Sequence, residues 1–264
     1  MASAIHPTAI IAPEATIGDD CRIGPYCVVG PNVTLGAETC LHEHVSIDGH
    51  TTLGERCEIF PFASIGKQTQ DLKYDGGTAY VEIGHDTTLR EYVTVNAATA
   101  TGERTAIGNH CHVLAYCHIA HECILGDHVI MSNATQLAGH VIVEDHVVFG
   151  GMGGVHQFVR IGTMVMVSAT AKVVQDVLPF CLVDGNPAVP VTINKVGLER
   201  NGKSPETIDA IQKAYRTVFR ANLTVDAAVN QLREAYPGVE EVERIAHFAE
   251  TSERGLSRPK SGRR

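Results

Sequence analysis

Residues 115–126 read AYCHIAHECILG, a run that gathers two thiols, two imidazoles and a carboxylate. Such a set could hold a metal, exchange a disulfide or supply a catalytic base, and each chemistry asks for a different arrangement in space. On a helix, a spacing of three would bring His118 and His121 onto one face. In an extended chain rising about 3.3 Å per residue, their Cα atoms stand up to about 10 Å apart. Two ring nitrogens so separated cannot share one zinc at about 2.0 Å within a single strand. The elements that carry these residues therefore decide among the three chemistries.

A six-residue period answers which elements they are. Stepping by six from Ile5 meets an apolar residue each time as far as Ile65; the register resumes at Ile83, Leu89 and Val95, slips at Thr101, and runs from Ile107 to Val173. No helical period of 3.6 fits a strict six, whereas alternation along short strands does if the chain turns a corner before each new strand. Four places after each apolar position stands a small or β-branched residue, as at Ala9, Val45, Thr51, Val129 and Thr135. This is a second inward slot. Just after the apolar position glycine is frequent, as at Gly18, Gly24, Gly36, Gly54, Gly108 and Gly126, which suits a tight corner. Three hexads make a triangular coil, and successive coils stack about 4.8 Å apart. The pattern predicts a mainly β fold, a β-solenoid of hexapeptide repeats.

Cys21, Cys27, Cys57, Cys111, Cys117 and Cys123 all fall in the small inward slot. They read as small hydrophobes of the core rather than as redox or metal groups, and reduced thiols fit a cytoplasmic chain. Cys40 and Cys181 lie off the pattern. Two interruptions, GKQTQDLKYDGGTAYVE and AATATGERTA, break the period. The first predicts an excursion loop over about 66–82, and long loops on a repetitive scaffold are often functional. The period stops near DVLPFCLVDGNPAVPV, giving a solenoid domain over 1–190 and a helical domain over 191–264. Within the latter, Ser204 and Pro205 open one helix, Thr224 precedes a second, and a third covers about 239–253. The tail RGLSRPKSGRR is expected to fray.

Charge narrows the partners. Residues 1–194 carry 8 Lys and Arg against 20 Asp and Glu, and residues 195–264 carry 13 against 10, out of 21 and 30 in all. An acidic body argues against nucleic acid, and a slightly basic tail suits an acidic partner. No apolar run reaches the roughly 18 residues of a membrane helix, and the N-terminus does not look like a signal peptide.

On the solenoid, Cys117 and Ile119 point inward and His118 and His121 outward. His140 follows His121 by one coil and one residue, so the two belong on neighbouring coils. His110, His128 and His146, one coil apart from each other, form a column that reads as a surface corner. The cluster of His118, His121, His140 and His156 differs because it lies beside the glycine-rich LAGH and GGMGGVHQF. An outward imidazole next to backbone N–H groups suits acyl transfer, with a general base for a weak hydroxyl nucleophile and donors for an oxyanion.

At this point a resemblance becomes specific. The hexad solenoid, TQDLKYDGG, HIAHEC, LAGHV, GGMGGVHQF, QDVLPF, GNPA and the terminal TSERGL, in this order over nearly the whole chain, resemble the UDP-N-acetylglucosamine O-acyltransferase family of lipid A biosynthesis. The resemblance implies a left-handed parallel β-helix followed by a small α-helical C-terminal domain, in a homotrimer with sites between subunits. It implies transfer of a (3R)-3-hydroxyacyl chain from acyl carrier protein to the 3-OH of UDP-N-acetylglucosamine. No metal or cofactor is needed, the phosphopantetheine being carried by the acyl carrier protein. The family's general base maps onto His121 and its oxyanion donor onto the N–H of Gly139. Its substrate contacts map onto Asp71, Lys73, His118, His140, His156, Gln157, Asn194 and Arg200, and its acyl-chain ruler onto Ala169. Glu122 stands where familiar members carry Asp, Val196 where a carboxylate is expected, and Asn201 in place of a second basic residue. Two other readings stand beside this one: a zinc hydratase of the γ-carbonic anhydrase type, and a passive β-helical sugar-binding scaffold.

Overall fold

The computed structural model describes residues 3–259. Among the described residues the strands form three sheets, of 11, 9 and 8 strands. The first begins with Ala4–Ile5, the second with Ile10–Ile11 and the third with Thr16–Ile17, so the chain visits each sheet in turn. Pairing between coils is parallel, with Ile119 opposite Leu137 and Leu137 opposite Val155, so that each coil holds three hexads. The apolar hexad positions fill the centre: Ile47, Ile59, Ile65, Leu89, Val113, Ile119, Met131, Leu137 and Phe149 are fully buried.

The corners work differently from the sequence expectation. The six corner glycines named above do not adopt positive φ; the non-glycine residue two places later does, at Asp20 (58°), Tyr26 (58°), Glu38 (60°), Arg56 (54°), His110 (53°) and His128 (57°), and corners without glycine do the same, as at His44 (59°), Glu122 (52°) and His140 (59°). Glycine is needed instead because adjacent coils touch there. At Gly36 a Cβ would lie 2.6 Å from the backbone nitrogen of Glu55. The left-handed conformation at the third corner position is unfavourable for each residue alone and is held by coil-to-coil hydrogen bonds such as His44 N–H to Pro25 O at 2.9 Å and His140 N–H to His121 O at 3.0 Å.

The inward cysteines also do more than fill space. Each thiol donates to a corner carbonyl of the next coil: Cys21 to Gly36 O at 3.2 Å, Cys27 to His42 O at 2.8 Å, Cys117 to Ser132 O at 3.1 Å and Cys123 to Ala138 O at 3.1 Å. Threonine does the same from the equivalent slot, Thr39 to Gly54 O at 3.0 Å and Thr87 to Gly108 O at 2.9 Å. Position and donor chemistry together explain why Cys and Thr share this slot.

The two interruptions are insertions into single coils. Leu53 pairs with Ile83 and Ile83 with Ile107, whereas regular pairing joins residues three hexads apart; the first of these coils is longer by two hexads and the second by one. The first insertion leaves the sheets only over 68–79, because Ser64–Lys67 and Tyr80–Ile83 are strands, so the loop is narrower than 66–82. Both insertions lie at the corner between the second and third sheets, on consecutive coils. On the coil after them that corner is Ala120, His121 and Glu122.

At the C-terminal end the ladder outlasts the expected stop at 190. Cys181–Gly185 still pairs in parallel with Met166–Val167, then turns back into Ala188–Ile193, so the strands end at Ile193. Four helices follow among the described residues: α1 (Lys195–Arg200), α2 (Pro205–Arg220), α3 (Val225–Ala235) and α4 (Glu240–Glu250). The short α1 was not anticipated, and α4 is shorter than 239–253. Ser204 and Thr224 cap α2 and α3 by accepting from Thr207 and Ala227 N–H. Nor does the start of the tail fray. Asp176 N–H donates to Gly255 O at 3.1 Å, Ser257 N–H to Asp176 O at 2.8 Å, and Leu256 and Ser257 are buried. The rest of the tail expectation, 260–264, lies outside the described residues.

Candidate active site

The corner between the second and third sheets stacks three residues from each of three coils: 120–122, 138–140 and 156–158. His121 and Glu122 are consecutive, and the left-handed backbone at Glu122 turns its side chain back beside the imidazole. His121 Nδ1 is hydrogen-bonded to Glu122 Oε2. The other carboxylate oxygen accepts from the backbone N–H groups of Thr99, at 2.7 Å, and Ala100, at 2.9 Å, both in the second insertion. Burial would raise the Glu122 carboxyl, but the Ala100 N–H, His121 and the Thr99 N–H together hold it below the usual carboxylate range. An ionised Glu122 accepts a proton-bearing Nδ1, which leaves Nε2 as the basic nitrogen of a neutral His121. The longer side chain at 122 thus still reaches the imidazole.

Nε2 of His121 faces the first insertion, where Asp71 Oδ2 lies 3.9 Å away. Asp71 is itself ordered by the loop, accepting from Lys73 N–H at 3.0 Å while its own N–H donates to Thr69 Oγ1 at 3.1 Å. Thr69 in turn bonds Thr99 at 2.9 Å, so the two insertions brace each other over the imidazole. The Lys73 side chain is exposed.

His140 stands on the next coil with its ring centroid 5.2 Å from that of His121, the rings perpendicular at 89°. Phe158 stacks on its other face at 4.5 Å. Between them, Gly139 passes directly under the His121 ring: a Cβ there would lie within 2.9 Å of Cε1, Nε2 and Nδ1. The neighbouring Ala138 and His140 N–H groups serve the coil ladder, to Val155 O and His121 O. Among the described residues, none takes the Gly139 N–H into that ladder. His118, half-buried, bonds Thr94 Oγ1 at 2.8 Å through Nδ1; burial, then the charge of His121, hold it below the ordinary histidine value. With Gln136, Gly154, His156 and Lys172 it lines a cavity of about 360 Å³ on the outer face of the second sheet.

Of the other expected site residues, two share this corner and three, Ala169, Asn194 and Arg200, do not. His156 and Gln157 take the same corner one coil beyond Gly139. Ala169 is exposed at the opposite edge of the second sheet, three coils on from His121, or about 14 Å at the usual strand spacing. Asn194 caps α1, its amide accepting from Gly197 N–H at 3.0 Å and donating to Met164 O at 2.8 Å. Met164 belongs to the third edge, that of the stacked column His110, His128 and His146. Arg200 is exposed at the end of α1. Within one chain these three do not approach His121.

Thr99 and Ala100 are the residues that sequence reasoning passed over. They act through backbone N–H groups, and the trace they leave is the break in the period at AATATGERTA. His121, Glu122 and His140 could also offer three ligand atoms within 4.8 Å of one another to a cation. Glu122, however, already has both oxygens occupied by hydrogen-bond donors.

Comparison with known proteins bears on this arrangement. Residues 176–257 match the model described as Udp N-acetylglucosamine O-acyltransferase, domain 2, and residues 3–31 and 14–49 match the bacterial transferase hexapeptide model. An acyl-[acyl-carrier-protein]–UDP-N-acetylglucosamine O-acyltransferase of Gloeothece citriformis is 42% identical over 88% of this chain and 84% of its own length. Its counterpart from a Synechocystis strain is 41% identical over the same shares. The LpxA structure from Acinetobacter baumannii superposes with a TM-score of 0.94 at 42% identity, covering 97% of this chain and all of that one (100%). The UDP-N-acetylglucosamine acyltransferase of Arabidopsis does so at 0.83 and 31% identity, over 96% and 99%. The solenoid is accordingly a left-handed parallel β-helix with a small helical region at its C-terminal end. A hexad solenoid is common to many proteins, but 42% identity over 88% of the chain, with a matching fold over 97% of it, is not: the chain belongs to the UDP-N-acetylglucosamine O-acyltransferase family.

Proposed function

We propose that this acyltransferase moves a (3R)-3-hydroxyacyl chain from acyl carrier protein to the 3-OH of UDP-N-acetylglucosamine, with His121 as general base. The observation that carries the mechanism is the orientation of that imidazole: Nδ1 is held by Glu122, and Nε2 looks toward the loop that carries Asp71 and Lys73. As the sugar hydroxyl attacks the thioester carbonyl, its proton passes to Nε2. The negative charge that develops on the carbonyl oxygen is met by the Gly139 N–H. Collapse breaks the carbon–sulfur bond, and the departing thiolate of the phosphopantetheine takes the proton back from the imidazolium, so the neutral base is regenerated and the products are an ester and a thiol. Glu122 stabilises the imidazolium between these steps.

Asp71 and Lys73 on the first insertion, His140, His156 and Gln157 at the corner of the base and its neighbouring coils, and His118 on the adjoining sheet belong to the same chain as this centre. They are proposed to hold the sugar and the nearby part of the acyl donor. Asn194, Arg200 and Ala169 stand on other edges, so a nucleotide site or an acyl ruler built from them requires a second copy of the chain beside the first. A homotrimer with its sites between subunits would supply one. The 13 basic residues against 10 acidic ones in 195–264 would favour an acidic carrier protein there. The zinc-hydratase and scaffold readings lack support: the relatives are named acyltransferases, and the carboxylate of the candidate metal group is engaged.

The test is an acyl-transfer assay with UDP-N-acetylglucosamine and 3-hydroxyacyl carrier proteins of graded length. His121→Ala should keep fold and assembly while turnover falls by at least about a hundredfold, the scale of a lost acid–base catalyst. Near-normal turnover of that variant would remove His121 from the mechanism.

A further inference from the structure

The C-terminal segment does more than close the solenoid. Residues 252–257 are fixed to its last coil through Asp176, which is buried: Ser252 Oγ donates to its carboxylate at 2.7 Å, and its backbone bonds Gly255 and Ser257. Ser257 Oγ adds a bond to Ala188 O at 2.8 Å. This anchorage sets Arg254 at the histidine corner. Its Nε donates to Val174 O at 2.9 Å, and its terminal NH2 group meets His156 Nδ1 at 2.9 Å.

The second contact determines a tautomer. Arginine is a donor at every nitrogen and stays charged, so the His156 nitrogen that faces it must accept and carry no hydrogen. The hydrogen then sits on Nε2. A competing state is visible beside it: the Gln157 carbonyl lies 3.1 Å from the same Nδ1 and would take a hydrogen bond from it if Arg254 were absent. Arg254 therefore selects between two histidine tautomers. The ring it controls lines the cavity shared with His118, Gln136 and Lys172.

We propose that Arg254 is a positioning residue for acyl transfer: clamped to Val174, it holds His156 as the Nε2–H tautomer and so presents a hydrogen-bond donor to an acceptor oxygen of the acyl donor. This role rests on the acyltransferase reading above. Arg254 and the histidine it meets are 98 residues apart in sequence. The contact links the segment that seals the solenoid to the chemistry on its side.

Two measurements on the full-length protein test it. Long-range ¹⁵N–¹H correlation spectra of ¹⁵N-histidine-labelled protein, with His156→Gln to assign the signals, report the tautomer without substrate. Steady-state rates with acyl carrier protein donors report its consequence. Wild type should show Nε2–H at His156; Arg254→Ala should shift it toward Nδ1–H and lower kcat/KM for the acyl donor by about tenfold, the scale of one charge-assisted hydrogen bond, with KM for UDP-N-acetylglucosamine unchanged. Arg254→Lys keeps a donor-only cation and should retain the tautomer and most of the rate, which also covers a poorly folding alanine variant. An Arg254→Ala enzyme with unchanged tautomer, or with a changed tautomer and unaltered kinetics, overturns the proposal. A wild-type protein that transfers no acyl group sinks the acyltransferase reading and this role with it, whereas a working enzyme matched by its Arg254→Ala variant sinks this role alone.

Discussion

Replacing Gly139 by alanine tests the geometry of the base without touching any titratable group. Gly139 does not have a positive φ, so alanine meets no backbone strain there. The added methyl would stand 2.9 Å from Nδ1 of His121 and closer still to Cε1 and Nε2. Comfortable contacts need about 3.5 Å, so the ring must retreat by about 0.6 Å at Nδ1, its farthest atom of the three, and by more than about 1 Å at Nε2 and Cε1. The Gly139 N–H survives, which separates displacement of the base from loss of the oxyanion donor. A misplacement of about 1 Å at a reacting group costs on the order of a hundredfold in rate, or about 2.7 kcal/mol of barrier. Gly139→Ala should therefore lower kcat about a hundredfold, while its melting temperature and KM for UDP-N-acetylglucosamine stay close to wild type. Initial rates under saturating donor, with thermal unfolding in parallel, measure both. A kcat within about threefold of wild type would refute the reasoning, since it would mean that the imidazole under which Gly139 passes does not act from the position seen here.

Glu122→Ala leaves the Thr99 and Ala100 N–H groups without their acceptor at a site only 8% exposed, so it should destabilise by about 1–3 kcal/mol at pH 7 in urea unfolding. Because the folded carboxyl is held below its unfolded value of about 4.3, this contribution is complete above that value and is lost as pH falls through the lower folded one. The gap between variant and wild type should narrow below about pH 4, and a gap independent of pH would contradict the ionised contact. Burial pushes Cys57, Cys111 and Cys117 up to about 11 and Cys123 to about 12. Iodoacetamide at pH 8 should thus leave these four unmodified in the native protein and reach them on unfolding, as mass spectrometry would show. Dialysis against a strong zinc chelator should leave turnover intact; loss of activity with recovery on adding zinc would revive the hydratase reading.

What the residues determined unaided is the scaffold. An apolar residue at every sixth position, with a small slot two before it, is satisfied by short strands and corners, and that periodicity is local enough to be read from the chain itself. The same holds for the helix caps Ser204 and Thr224, whose hydroxyls need only the backbone N–H three places on. The insertions were legible as breaks in the period, and the neighbouring coils of His121 and His140 followed from the count of residues between them.

What only the tertiary structure decided is which groups surround the imidazole. Glu122 reaches back to Thr99 and Ala100 across 23 and 22 residues. Asp71 faces His121 from a loop two coils earlier, and Arg254 arrives at His156 from the far end of the chain. The corner glycines, read as sources of backbone freedom, proved to be points of contact between coils, with the positive φ carried two residues later. The physical reason is common to all of these. A repeat records how each coil turns, which is a property of neighbouring residues. The contacts of the site arise between coils, where two insertions, one of two hexads and one of a single hexad, set which backbone N–H groups and which carboxylate come to rest over one histidine.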